Sequence, residues 1–229
     1  MRTAFFVDGY NVFYGLLAGT PYKWLNLPLL LTHIAHIENP HSALASVDYF
    51  TSSVKPELAT RGKISKEAQD TYVRALKANN VTVHYGRHQL ERANAPRFID
   101  KKIGASRQDI VAIWKLEEKE TDVHIAISMY RTAAKQADTH IAERIQQFVL
   151  VSGDTDLTPA LRAIREDFPQ ITVGVVLPCR TGFKRSPPGS LIEYSHWMRR
   201  VVSSEELLAH QFPTRVPTHK APAIKPDYW

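Results

Sequence analysis

One cysteine, Cys179, stands in 229 residues, which excludes an internal disulfide framework and any cysteine-based zinc site. It follows an apolar stretch and reads as a small buried thiol. No run approaches the roughly 18 uninterrupted apolar residues of a membrane span, so no membrane partner is expected. The N-terminus, Met1-Arg2-Thr3-Ala4-Phe5-Phe6-Val7-Asp8, lacks the long apolar run and cleavage site of a signal peptide, and a cytoplasmic location is the expectation. Glycine-rich phosphate loops of the Walker or dinucleotide type are missing, and Ser152-Gly153-Asp154 is not a nucleophile elbow. His84, His88, His124 and His140 have no metal-ligand spacing and read as surface or loop residues. Internal repeats are lacking as well.

What is present is a globular composition, 44% apolar and 10% aromatic, long enough to bury a sizeable core. A net charge of +6 favours a polyanionic substrate. Residues 3–7 form a nearly continuous apolar run, as in a central strand covered on both faces. Further strands are predicted at 43–51, 81–86, 148–152 and 171–177. Helices are predicted at 24–37, from a Ser65 cap onward, at 122–135, and at 159–166 with Thr158 as cap. Two short helices are expected at 191–199 and 204–210. Alternation of strands and helices implies an α/β fold, with a mostly parallel central sheet and helices on both faces. One domain is expected over 1–211, interrupted by a basic insertion at about 87–112 that includes a short hairpin. Residues 212–229, rich in Pro, Thr, Lys and His, read as an extended tail.

Four aspartates stand where strands or helices meet loops. Asp8 ends the first apolar run in Phe5-Phe6-Val7-Asp8-Gly9-Tyr10-Asn11, where Gly9 allows a sharp turn. Asp122 follows Glu117-Glu118-Lys119-Glu120-Thr121 and opens the clearest helix. Asp154 and Asp156 close Val149-Leu150-Val151-Ser152-Gly153-Asp154-Thr155-Asp156, spaced so that both carboxylates can face one ion. In an open parallel sheet, ligands sit beyond the carboxyl ends of the strands, and both Asp8 and Asp154 lie there. Such convergent carboxylates repel one another unless cations bind. Each acid also has a plain structural role open to it, as a turn or helix-cap residue.

Together these segments resemble the NYN domain family, a branch of the PIN-like ribonuclease superfamily, over residues 1–177. The resemblance implies a Rossmann-like three-layer sandwich whose acidic pocket binds Mg²⁺ or Mn²⁺ and cleaves RNA. It assigns Asp8, Asp122, Asp154 and Asp156 to the metal cluster, with Asn11 catalytic and Ser152 supporting. Thr155 and Glu118 are further supporting positions, and Lys119, Arg61, Lys63, Arg87, Arg92, Lys101 and Lys102 are expected to guide the RNA backbone. Many relatives carry another Asp two turns into the helix, where this chain has Ser128. That departure motivates an alternative, an RNA-binding or regulatory module with little turnover. A phosphatase of the haloacid-dehalogenase type is disfavoured because its second Asp, two residues on, is here Tyr10. The oligomeric state is open between monomer and homodimer.

Overall fold

Alternation along β1 (Arg2–Asp8) sends Phe5 and Val7 to one side of a sheet and Ala4 and Phe6 to the other, all four fully buried. The computed structural model describes residues 1–136, 139–183 and 186–229. After β1 the chain turns through α1 (Gly9–Val12), widens into a π-type turn to Leu17, and enters α2 (Leu27–Glu38). Asn26 caps α2 by accepting from the Leu29 amide, and Pro28 sits in its first turn. Next come β2 (Ala43–Thr51), α3 (Lys63–Ala78) and β3 (Val81–Tyr85).

A long excursion follows, made of β4 (Arg87–Pro96) and β5 (Ile110–Lys119), before α4 (Thr121–Lys135). The domain continues with β6 (Gln147–Val151), α5 (Thr158–Asp167), β7 (Thr172–Val176), α6 (Gly189–Glu193), β8 (Trp197–Arg199) and α7 (Ser204–Ala209). Two short strands, β9 (Arg215–Val216) and β10 (Ala223–Ile224), complete it.

Six strands form one sheet in the order β3-β2-β1-β6-β7-β8, and every neighbouring pair is parallel. On one face, α2 and α3 cover Phe5, Val7, Val149 and Val151; on the other, α4 and α5 cover Phe6, Phe148 and Leu150. This is the Rossmann-like three-layer sandwich that the sequence implies. Each buried Phe stabilises it by about 1.5–3 kcal/mol through transfer from water. The strand order reverses between β1 and β6, so their carboxyl ends frame a crevice. Val7 pairs with Val151, which sets Asp8 beside Ser152. Among the described residues no helix is long and apolar enough to cross a membrane.

Four expectations need correction. The insertion does contain a hairpin, but a long one that ends later than 112, because β4 and β5 are ten-residue antiparallel strands and the second runs to Lys119. Residues 197–199, expected as helix, add an edge strand to the sheet beside β7. Ser65 does not cap α3, which starts at Lys63 after Gly62 with φ of 54°; the Ser65 hydroxyl accepts from the Arg61 amide instead. Thr158 is the first residue of α5 rather than its cap.

Residues beyond 212 also differ from an extended tail. Phe212, Val216 and Ala223 are buried in the cluster that contains Trp24 and Tyr72, and Trp229 packs against it. The Trp24 indole donates to the Pro213 carbonyl at 2.8 Å, fixing the segment across the α2–α3 face. A few large side chains anchor a proline-rich stretch that has no periodic pattern.

Candidate functional site

Asp8 is only 3% exposed, and both of its oxygens are held by the chain. Oδ1 accepts from the Asn11 amide at 2.9 Å, which makes Asp8 the cap of α1. Oδ2 accepts from Asn11 Nδ2 at 2.6 Å and from Ser152 Oγ at 2.8 Å. Ser152 Oγ in turn accepts from the Asp154 amide, and Asn11 Oδ1 accepts from the Gly153 amide. Asn11 and Ser152 therefore clamp the β1 loop to the β6 loop. Gly9 makes this possible: a Cβ there would lie 2.6 Å from the Phe50 carbonyl oxygen and from the Tyr49 ring.

Burial raises the Asp8 pKa, against the opposing pull of its hydrogen bonds, and the Asp154 charge raises it further. Asp154 caps a 3-10 turn by accepting from the Asp156 amide, and Asp156 and Thr155 are exposed in that turn. Asp122 lies in the first turn of α4 but does not cap it; the cap position is Glu120, in the left-handed region with φ of 77°. The Asp122 carboxyl is pushed up to about 6, first by burial and then by the charges of Asp154, Asp8, Glu118 and Asp156. Those four influences are all negative. The aspartates from β1, α4 and the β6–α5 loop thus feel one another across the crevice.

Among the described residues, no three His, Cys, Asp or Glu side chains are gathered tightly enough to hold a metal ion directly. The two observations concern different ranges, since charges interact over several ångströms whereas direct ligation needs about 2 Å. An all-oxygen, open cluster suits Mg²⁺ or Mn²⁺ reached partly through water, because magnesium usually retains several of its waters.

The β4–β5 ribbon forms an arm whose base reaches the same crevice. Glu118 Oε1 accepts from Ser52 Oγ at 2.9 Å and from Thr121 Oγ1 at 2.7 Å, tying the end of β5 to the end of β2 and the start of α4. Gly86 fits between them, since a Cβ there would lie 2.4 Å from Thr121 Oγ1. The Tyr10 hydroxyl and His88 Nε2 are 3.0 Å apart, and His88 Nδ1 faces the Ser53 carbonyl at 2.8 Å. With Nδ1 donating to that carbonyl, Nε2 of a neutral ring accepts from Tyr10. Burial raises the Tyr10 pKa, as does the Glu118 charge, so the phenol stays protonated. Tyr10, His88, Ser52 and Thr121 were missed from sequence; nothing in a linear pattern pairs residue 10 with residue 88.

The predicted RNA-guiding cations are dispersed. Lys119 pairs with Glu117, and Arg87 with Glu120 at 2.5 Å. Arg61 lies 4.5 Å from the Tyr228 ring, engaged by the C-terminal segment, and Lys63 is exposed at the start of α3. Arg92 is on the arm, and Lys101 and Lys102 occupy its tip, about 30 Å of strand from its base. Ser128 lines a cavity of about 440 Å³ with His84, Tyr85 and Arg131, a lining that includes none of the four aspartates.

A model of the NYN domain matches residues 2–193, and the chain belongs to that family. It is also 34% identical over 247 aligned residues to 6-hydroxy-3-succinoylpyridine 3-monooxygenase HspA of Pseudomonas putida (strain DSM 28022 / S16), a match covering 100% of this chain and 75% of that protein.

Proposed function

We propose that this NYN-domain protein is a metal-dependent ribonuclease. The observation that carries the reading is the meeting of Asp8 with the Ser152–Asp154 loop at the switch point of a parallel sheet, where the charges of Asp8, Asp154, Asp156 and Glu118 also act on Asp122. A cluster of that kind stores repulsion that a hard cation relieves. When bound, Mg²⁺ or Mn²⁺ supplies Lewis-acid polarisation of the phosphate and a more acidic water. Asp122, Asp154 and Asp156 would hold it through their carboxylates, directly or through its waters. Asp8 keeps lone-pair capacity beyond its three hydrogen bonds, while Asn11 and Ser152 fix its rotamer.

The experiment is purified protein with RNA oligonucleotides, with and without Mg²⁺ or Mn²⁺, beside Asp8→Asn and Asp154→Asn. Metal-dependent cleavage lost in both variants supports the reading. Equal cleavage by wild type and variants identifies a contaminant and ends it.

A second reading draws on the pyridine monooxygenase relative, whose similarity extends past residue 193 into the packed C-terminal segment. Phe13 and Tyr14 are exposed beside Tyr10, with the Tyr10 and Tyr14 ring centroids 6.0 Å apart, a surface on which an aromatic ring could stack. Hydroxylation of such a ring places one oxygen of O₂ in product and reduces the other to water, so it needs a two-electron donor. Dioxygen-dependent conversion of a hydroxypyridine when a two-electron donor is supplied, with no RNA cleavage, would favour this reading over the first.

A further inference from the structure

The arm has two unlike faces. Strand alternation and the register of β4 and β5 put Arg87, Gln89 and Glu91 with Lys115, Glu117 and Lys119 on one face. Charges there are matched: Glu117 pairs with both Lys115 and Lys119, and Arg87 with Glu120. The other face carries the cross-strand pairs His88–Glu118, Leu90–Leu116 and Arg92–Trp114 in succession outward. Its first pair belongs to the crevice, through the bonds of His88 to Tyr10 and of Glu118 to Ser52 and Thr121. Its outer pairs are bare: Trp114 is 70% exposed, and Leu90 and Leu116 are exposed too. Trp114 is four residues along β5 from Glu118, about 13 Å from the crevice.

We propose that this face is a subsite for single-stranded RNA, in which Trp114 and the Arg92 guanidinium stack bases of a strand whose phosphodiester lies in the aspartate crevice. The proposal rests on the ribonuclease reading and adds the substrate's form and its path. Single strands are recognised by stacking on aromatic rings and arginine planes and by cations along the backbone. Arg92 directly faces Trp114 across the ribbon, and among the described residues it has no ion-pair partner; the same holds for Lys101, Lys102 and Arg107 near the tip. Those uncompensated charges complement a polyanion. A second copy of the chain would bring the same cations to a shared interface, since a two-fold contact sets like patches against each other.

The test is fluorescence anisotropy with a labelled ten-nucleotide oligouridylate in EDTA, where no metal-dependent cleavage intervenes. Trp114→Ala should weaken binding about tenfold, and Trp114→Phe should restore most of it. Arg92→Ala should reduce the slope of log affinity against log salt by about 0.7. Thermal melting of each variant, unchanged from wild type, certifies the fold. Wild-type affinity in Trp114→Ala and Arg92→Ala overturns the proposal. So does a wild-type dimer in sedimentation that Trp114→Ala dissociates without altering RNA affinity, which would make the face a contact between copies. RNA bound through Trp114 but never cut leaves the arm proposal standing and removes the ribonuclease reading. Metal-dependent cleavage with Trp114-independent binding does the reverse, and no wild-type binding at low salt removes both.

Discussion

The parallel sheet buries Phe5, Phe6, Val149 and Leu150 completely, whereas the arm leaves Ile110, Leu116 and Trp114 between 40% and 70% exposed. The sheet is covered on both faces by helices, and its strand ends hold Asp8 through three hydrogen bonds. The arm consists of two strands that pair chiefly with each other, an arrangement marginally stable without further cover. The two regions meet at Glu118 and His88, whose bonds fix the arm's base; among the described residues no such tie is made farther along it. The covered frame thus fixes Asp8 through its hydrogen bonds, while the arm offers surface that a partner can cover. Chemistry needs the first kind of support, and strand capture needs the second.

The contrast is broken most directly by truncating one residue in each region. Phe148→Ala should destabilise the fold by about 3–5 kcal/mol in urea titrations, and Leu116→Ala by under about 1 kcal/mol. Comparable losses would mean that the arm belongs to the cooperative core. Next in size is Ser152→Ala, which removes the hydroxyl joining Asp8 to the β6 loop. Metal-dependent cleavage should fall about 10–100-fold, with Ser152→Thr recovering part of it.

The smallest effect concerns pH. Asp122 titrates near 6 in the folded chain against an ordinary value of 3.8, so folding retains a proton that the unfolded chain loses between those values. The stability it contributes is fully present below about 3.8 and is lost as pH rises through about 6. Asp8 shifts in the same direction. Asp154→Asn removes the largest neighbouring charge on Asp122, so in EDTA its melting temperature should match wild type near pH 4 and exceed it by a few degrees above pH 6. Melting curves across pH 4–8 check this sign.

Much of the sheet was legible because burial on both faces leaves continuous apolar runs, as at Phe5-Phe6-Val7 and Val149-Leu150-Val151. The strand-end acids were legible for the same reason, since each run stops at a polar residue facing the crevice. The arm was not, because a ribbon with no core to face mixes Leu90, Arg92 and Trp114 with Asn94 on one side and shows no burial pattern. Trp197–Arg199 read as helix because three residues of edge strand carry too little period to outweigh the adjoining Leu191 and Ile192. The C-terminal segment misled through composition: Phe212, Val216, Ala223 and Trp229 are too widely spaced to suggest a core, yet each joins the cluster around Trp24. A helix-cap role was also open to Asp122 in the local pattern, whereas the chain enters α4 through Glu120 at positive φ and leaves Asp122 in the second helical position, where the charges of the other acids act on it.

The central claim, that the four aspartates form a cation site, is tested most directly by anomalous scattering from crystals soaked in Mn²⁺. The account predicts an anomalous peak between Asp8, Asp122 and Asp154, within direct or single-water reach of their carboxylates, that disappears in Asp154→Asn. A featureless crevice at saturating Mn²⁺, or an equal peak in Asp154→Asn, would contradict it.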